Sequence, residues 1–168
     1  MAKRPNKRPD IPARNSDNDK RRLDATLDPA VIAALLAHAW YRGSPKHKRN
    51  PHLFNLQPYN GKRGDETLCD EHANFGVQDM AGIPALLTRG IIAGLIGGRV
   101  LWTVADDGWI FEARLTNVGQ QEYHGYPVRP TEAIAKPVYE RFVEWTVQSK
   151  SAAEIVAALA CAARYGFD

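Results

Sequence analysis

The stretch 99–115 constrains the fold more tightly than any other part of the chain. Val100-Leu101-Trp102-Thr103-Val104 and Trp109-Ile110-Phe111 flank Asp106-Asp107-Gly108. β-Branched and aromatic residues on both sides of an Asp-Gly step predict a β-hairpin. A further strand over 122–128 would extend it into a small antiparallel sheet, with Pro127 at an edge. The surrounding patterns are helical. Asp28 is a natural N-cap with Pro29 at the first helical position, and Val31, Ile32, Leu35, Leu36 and Ala39 recur at helical spacing, predicting a helix over 28–42. A second helix over 81–96 would bury Ile83, Leu86, Leu87, Ile91 and Leu95 before Gly97-Gly98 stop it. Two more follow: one opened by Pro137 with Val138, Tyr139, Phe142 and Trp145 inward, and one with Ser151 and Glu154 as a capping box, burying Ile155, Val156, Leu159 and Ala163. The expected class is α+β, a small antiparallel sheet (hairpin 99–115 plus the strand near 122–128) packed against about four helices.

Composition sets the scale. With 168 residues, 44% of them apolar and 24% charged, the chain has room for one domain over 25–168 and an arm. Residues 1–24, with Pro5, Pro9 and Pro12 and little that is apolar, read as a disordered basic arm. The longest apolar stretch, 91–101, is broken by Gly94, Gly97, Gly98 and Arg99 and falls short of the roughly 20 residues that span a bilayer. The basic N-terminus is not followed by an apolar run, and two cysteines are too few for a disulfide framework. A soluble cytoplasmic protein with no membrane partner is expected.

Charge is distributed unevenly. Residues 1–22 carry eight Lys/Arg against three Asp, and residues 42–63 carry six cations and no acid, while the net charge is only +3. Two basic blocks therefore sit on an acidic remainder, which favours a polyanionic partner. The bland alternative is a solvated tail and loop.

Segment 43–79 shows no sustained period and is broken by Pro45, Pro51, Pro58, Gly61, Gly64 and Gly76. It nevertheless holds Leu53, Phe54, Leu56, Tyr59, Leu68 and Phe75, too apolar for a linker. Ordered loops of this length tend to be functional.

Two constellations could carry chemistry. In the first, Trp40 and Tyr41 precede Lys46-His47-Lys48-Arg49. The cations suit phosphates, the aromatics could stack on unpaired bases, and His47 among three cations should stay neutral and serve as a base. In the second, Tyr123-His124-Gly125-Tyr126 leads to Arg129. On a strand His124 and Tyr126 face one way and Tyr123 and Gly125 the other, so His124 is the second acid–base candidate, with Tyr126 beside it and Arg129 for a phosphate. Each motif also has an ordinary reading: an exposed basic turn for the first, and half-buried sheet tyrosines with a hydrogen-bonded edge histidine for the second.

Together the motifs suggest an endoribonuclease of the toxin or defence type that needs no metal or other cofactor. RNA cleavage by its own 2′-hydroxyl requires a base, an acid and cations around the phosphorane. His47, His124, Lys46 and Tyr126 are the candidate catalytic residues, and Lys48, Arg49, Arg129, Trp40, Tyr41 and Tyr123 the candidate nucleic-acid contacts, RNA being favoured over DNA. The alternatives are a non-catalytic nucleic-acid or ribonucleoprotein-binding module, and an accessory protein that docks a protein partner or inhibitor. His47, His52, Cys69 and His72 could instead hold zinc, and Asp65, Glu66, Asp70, Glu71 and Asp79 could hold Mg²⁺. Phosphate-loop, dinucleotide, nucleophile-elbow and HExxH signatures are absent, and Cys161 lies in an apolar helical pattern as inert core.

Overall fold

The structure, a computed structural model, describes residues 21–62 and 67–168, the side chain of Val118 excepted. The basic stretch 1–20 and the acids Asp65 and Glu66 lie outside the described residues.

The α+β class holds, and the sheet is larger and mixed. Five strands are ordered β1-β5-β4-β3-β2, namely β1 (Trp40–Tyr41), β2 (Ile96–Gly97), β3 (Val100–Val104), β4 (Ile110–Asn117) and β5 (Glu122–Pro127). The hairpin forms as expected, β3 against β4 from Val100↔Arg114 to Val104↔Ile110. Gly108 turns it at φ +87°, and a Cβ there would collide with the backbone of Ala160, so only glycine fits. The two edge strands are two residues long, too short to leave a period in the sequence. β1 runs parallel to β5, pairing Trp40 with Glu122 and Tyr41 with Tyr123. That pairing ends α1 (Pro29–His38) four residues before the expected boundary, because Ala39 turns extended and gives its neighbours to the sheet. Asp28 caps α1 as expected, its Oδ1 accepting from Ala30 N at 2.8 Å.

Helix α2 (Cys69–His72) is a single turn, and α3 (Ile83–Ile92) presents Ile83, Leu87, Gly90 and Ile91 to the core. A Cβ on Gly90 would lie 2.1 Å from the Trp102 carbonyl oxygen, so the glycine is what lets α3 lie on β3. α4 (Ala135–Ser149) and α5 (Ala152–Tyr165) complete the chain. One side of the sheet buries Leu101, Ile96 and Tyr123 against Leu35, Ile83, Leu87 and Ile91 of α1 and α3. The other buries Val100, Trp102, Val104 and Ile110 against Val138 and Phe142 of α4 and Ala157, Ala158 and Cys161 of α5.

Three expectations fail for identifiable reasons. α5 buries Ala157, Ala158, Cys161 and Tyr165, leaving Val156 59% and Leu159 66% exposed. The helix is apolar nearly all round, so periodicity does not choose its face. Small residues that allow close approach, and the Tyr165 hydroxyl that accepts from Ile110 N at 3.0 Å and donates to Val128 O at 2.6 Å, choose it instead. Ser151 makes no side-chain cap, because Glu154 takes the Ser149 hydroxyl. Residues 21–24, expected to belong to the arm, are held on the domain. Arg21 is buried, Leu23 packs on the core, and Asp24 N donates to Ile96 O at 2.8 Å.

Among the described residues, segment 43–79 carries short helical turns (Pro45–His47, Pro51–Phe54, α2 and the start of Val77–Gly82) and is otherwise held by side-chain contacts. Beyond the end of β1, Thr67 Oγ1 donates to Pro127 O at 2.6 Å and Cys69 Sγ to Gly125 O at 3.3 Å, so residues 67–69 cover the open edge of β5. The Asp70 carboxylate accepts from Arg49 N at 2.7 Å and Asn50 N at 2.9 Å, pinning the turn after Pro45–His47.

Candidate active site

Register builds the site. β4 and β5 pair Glu112 with Tyr126 and Arg114 with His124, so alternate polar residues of two neighbouring strands share one face. This is the face whose other half carries Trp102 and Ile110 under α4 and α5. The turn Pro45–His47 then folds back along the uncovered edge of β5 and lays His47 on top.

The two histidines, 77 positions apart in the chain, come together. The His47 ring stacks on Tyr126 with centroids 4.6 Å apart and lies 5.6 Å from the His124 ring at an interplanar angle of 14°. A single phosphate can touch two imidazoles at that spacing. His47 is 6% exposed, and its Nδ1 sits 3.2 Å from the Thr67 carbonyl oxygen. A carbonyl only accepts, so Nδ1 carries the proton and Nε2 keeps a lone pair. Burial, followed by His124, Lys46 and Lys48, pushes the His47 pKa down to about 4 against the carbonyl's opposing pull. His124 is half-buried, with its Nδ1 2.8 Å from Thr116 Oγ1. Burial, with Arg114 and Lys46, lowers its pKa, and Glu112 and Glu122 partly offset them. Lys46 thus places positive potential on both rings, and Arg114 adds to it at His124.

Beneath the rings lies a buried polar cluster. Glu112 is fully buried, and its Oε1 accepts from Tyr126 OH and Arg114 Nε, both at 2.6 Å. Its Oε2 accepts from Arg21 Nη2 at 2.7 Å, Arg21 Nε at 2.9 Å and Trp102 Nε1 at 3.1 Å. Burial opposes ionisation, but Arg21, Tyr126 and Arg114 outweigh it and hold the carboxyl below its usual range. Burial, then the Glu112 charge, raises the Tyr126 pKa, so its proton stays on and points at Glu112. Tyr126 supports the His47 ring and is not placed to transfer protons.

The remaining candidates divide. Trp40 is 43% exposed with its indole N–H held by Gln120 O at 3.0 Å, and the Arg49 side chain is exposed. Arg129 is half-buried, its backbone N–H bound to Glu132. Lys48 turns inward and is 0% exposed, its Nζ 3.3 Å from Tyr41 OH and 5.1 Å from the Phe54 ring centroid. Tyr41 joins it in lining a small, mostly apolar cavity of about 50 Å³. Tyr123 is 2% exposed in the core beside Leu35 and Leu87. Lys48, Tyr41 and Tyr123 therefore face away from the histidine pair and are not placed to make the phosphate and base contacts expected of them. Lys48, the residue that closes the Pro45–His47 turn, is held inward by the Tyr41 hydroxyl and the Phe54 and Phe75 rings.

Metal ligands do not converge. Among the described residues no group of three or more His, Cys, Asp or Glu side chains is arranged to hold an ion. His72 closes its own helical turn, accepting from Leu68 N at 2.8 Å, Cys69 bonds to Gly125, and Asp70 is taken by the Arg49–Asn50 amides.

The low His47 pKa carries a stability signature. A folded value near 4 against 6.5 in the unfolded chain means stability is full above pH 6.5 and falls toward pH 4. Moving from pH 7 to 4.5 should cost about 2 kcal/mol through this one group. A His47→Phe variant should flatten that window in denaturant titrations at the two pH values. An unchanged slope would assign the loss to other groups.

No protein-family model, curated protein or solved structure matches this chain. Among the described residues no helix is long and apolar enough to cross a membrane.

Proposed function

We propose that the protein is an endoribonuclease that cleaves single-stranded RNA by transesterification through the 2′-hydroxyl. The observation that carries this reading is the approach of His47 and His124 to 5.6 Å between ring centroids, with Lys46 and Arg114 beside them. His47, with its Nε2 lone pair, removes the 2′-hydroxyl proton, and that oxygen attacks the adjacent phosphorus. His124, protonated on Nε2 and held at Nδ1 by Thr116, gives its proton to the departing 5′-oxygen. Lys46 and Arg114 take up the charge gathered on the phosphorane oxygens. Trp40, exposed and orientationally fixed, offers a face on which a base can stack. The basic stretch before residue 21 would add affinity that is independent of sequence and weakened by salt.

A mixed-sequence RNA oligonucleotide incubated in EDTA is the direct test. Cleavage should persist, yield 2′,3′-cyclic phosphate ends, and disappear when every 2′-hydroxyl is replaced by hydrogen. RNA that is bound but left whole would favour a non-catalytic module. Neither binding nor cleavage would point to a protein partner.

A further inference from the structure

Arg21 lies outside both histidine motifs, at the end of a stretch that reads as a tail, yet it is 6% exposed and reaches the centre of the site cluster. We propose that Arg21 is a positioning residue of the histidine site, neutralising Glu112 from below so that Arg114 and Tyr126 stay set against His124 and His47. This deepens the nucleolytic reading and rests on it for its consequence, since it makes the N-terminal segment part of the site.

Geometry fixes the assignment. Arg21 places Nε and Nη2 on one Glu112 oxygen at 2.9 and 2.7 Å, and Nη1 on Glu132 Oε1 at 3.1 Å. The other Glu112 oxygen is left for Tyr126 OH and Arg114 Nε. Glu132 in turn accepts from Arg129 N at 2.6 Å, so the same guanidinium ties down the chain just after β5. The backbone delivers Arg21 to this spot independently of its ion pairs. Gly98 N donates to Asp24 Oδ2 at 3.0 Å, Arg141 Nη1 donates to Asp24 O at 2.9 Å, and Leu23 is packed on the core. In these bonds the guanidiniums of Arg21 and Arg114 face the carboxylates of Glu112 and Glu132. Without Arg21 the cluster loses one of these positive charges, and Arg114 is left to neutralise Glu112 when it should face a phosphate.

His124 reports the change. Arg114 and Lys46 face it with positive charge, Glu112 and Glu122 with negative charge, and Thr116 and His47 as neutral neighbours. Unmasking Glu112 must move its titration upward. In the full chain, imidazole NMR titrations of Arg21→Gln should place His124 about half a unit or more above wild type. Inorganic phosphate, followed through the same resonances, should bind about tenfold more weakly, as expected when a charged partner is lost. Arg21→Lys keeps the charge without the fork, and should shift both readouts partway even if Arg21→Gln does not fold. Wild-type His124 titration and phosphate affinity in either folded variant would overturn the proposal. A wild-type chain that never cleaves RNA, with these shifts intact, would retire the nucleolytic reading and leave the positioning role standing. Cleavage by wild type with unmoved titrations would do the reverse.

Discussion

Glu112→Ala should lower the unfolding free energy by about 3–5 kcal/mol, as expected when one partner of a buried ion cluster is removed. Small domains are stable by only about 5–15 kcal/mol, so such a loss would leave this chain marginal. Five hydrogen bonds end on the carboxylate, from Arg21 (two), Trp102, Arg114 and Tyr126. Truncation leaves donors of four residues without that acceptor at once: the Arg21 guanidinium with only Glu132 left, the Trp102 indole N–H, Arg114 Nε and the Tyr126 phenol. Glu112→Gln keeps the shape and should be milder, but it removes the charge that holds Arg21 and Arg114. The pH dependence has a definite sign. The Glu112 carboxyl titrates below its usual 4.5 in the fold, so its contribution is present above pH 4.5 and is lost as acid protonates it. Glu112→Gln should therefore flatten the stability curve below pH 4.5, leaving the His47 loss between pH 6.5 and 4 in place. Denaturant midpoints of Arg21→Ala, Glu112→Ala and the double variant supply the decisive comparison. Contacting residues show coupling of about 0.5–3 kcal/mol, and strictly additive losses would mean the cluster does not act as a unit.

How far the site was legible depends on which physical signal fixes each part. The hairpin and its turn were readable because Asp-Gly and β-branched runs are local preferences. So was the facing of His124 with Tyr126, which follows from a strand period of two. Glu112, Arg114 and Thr116 carry the same signal as alternate polar positions between Phe111, Ala113 and Leu115, but polar residues on a strand ordinarily mark its solvent side, so the pattern alone does not set them apart as a site. That His47 meets His124 follows from how the described residues of 43–62 and 67–79 are held, by scattered contacts such as Thr67 on Pro127 and Asp70 on two amides. No periodicity encodes these. The burial of Lys48 beside a phenol and two aromatic rings runs against the usual exposure of lysine, so composition pointed the wrong way. Arg21 had no signal at all. Among eight cations in 1–22, nothing distinguishes the one whose carboxylate partner lies 91 residues away.

The pH–rate profile on RNA should be bell-shaped, with its maximum on the acid side of neutrality. The base must be neutral, so kcat/KM rises with pH through the His47 value near 4. The acid must carry its proton, so the rate falls again through the His124 value, which burial and the Arg114 and Lys46 charges hold below 6.5. The maximum therefore lies between these limits, and above pH 7 the rate should drop about tenfold per unit. His47→Ala and His124→Ala should each reduce kcat/KM by about 10²–10⁴-fold, the range for a lost general acid or base. They differ in what remains of the curve: His47→Ala loses the rising limb and His124→Ala the falling one. The double variant should be scarcely worse than either single one, because groups that act in one proton-transfer pair do not contribute additively. Since His47 also packs on Tyr126, both variants need unfolding midpoints near wild type for the comparison to hold. A folded His124→Ala that cleaves within threefold of wild type, or a wild-type profile flat from pH 4 to 8, would remove the two histidines from the chemistry.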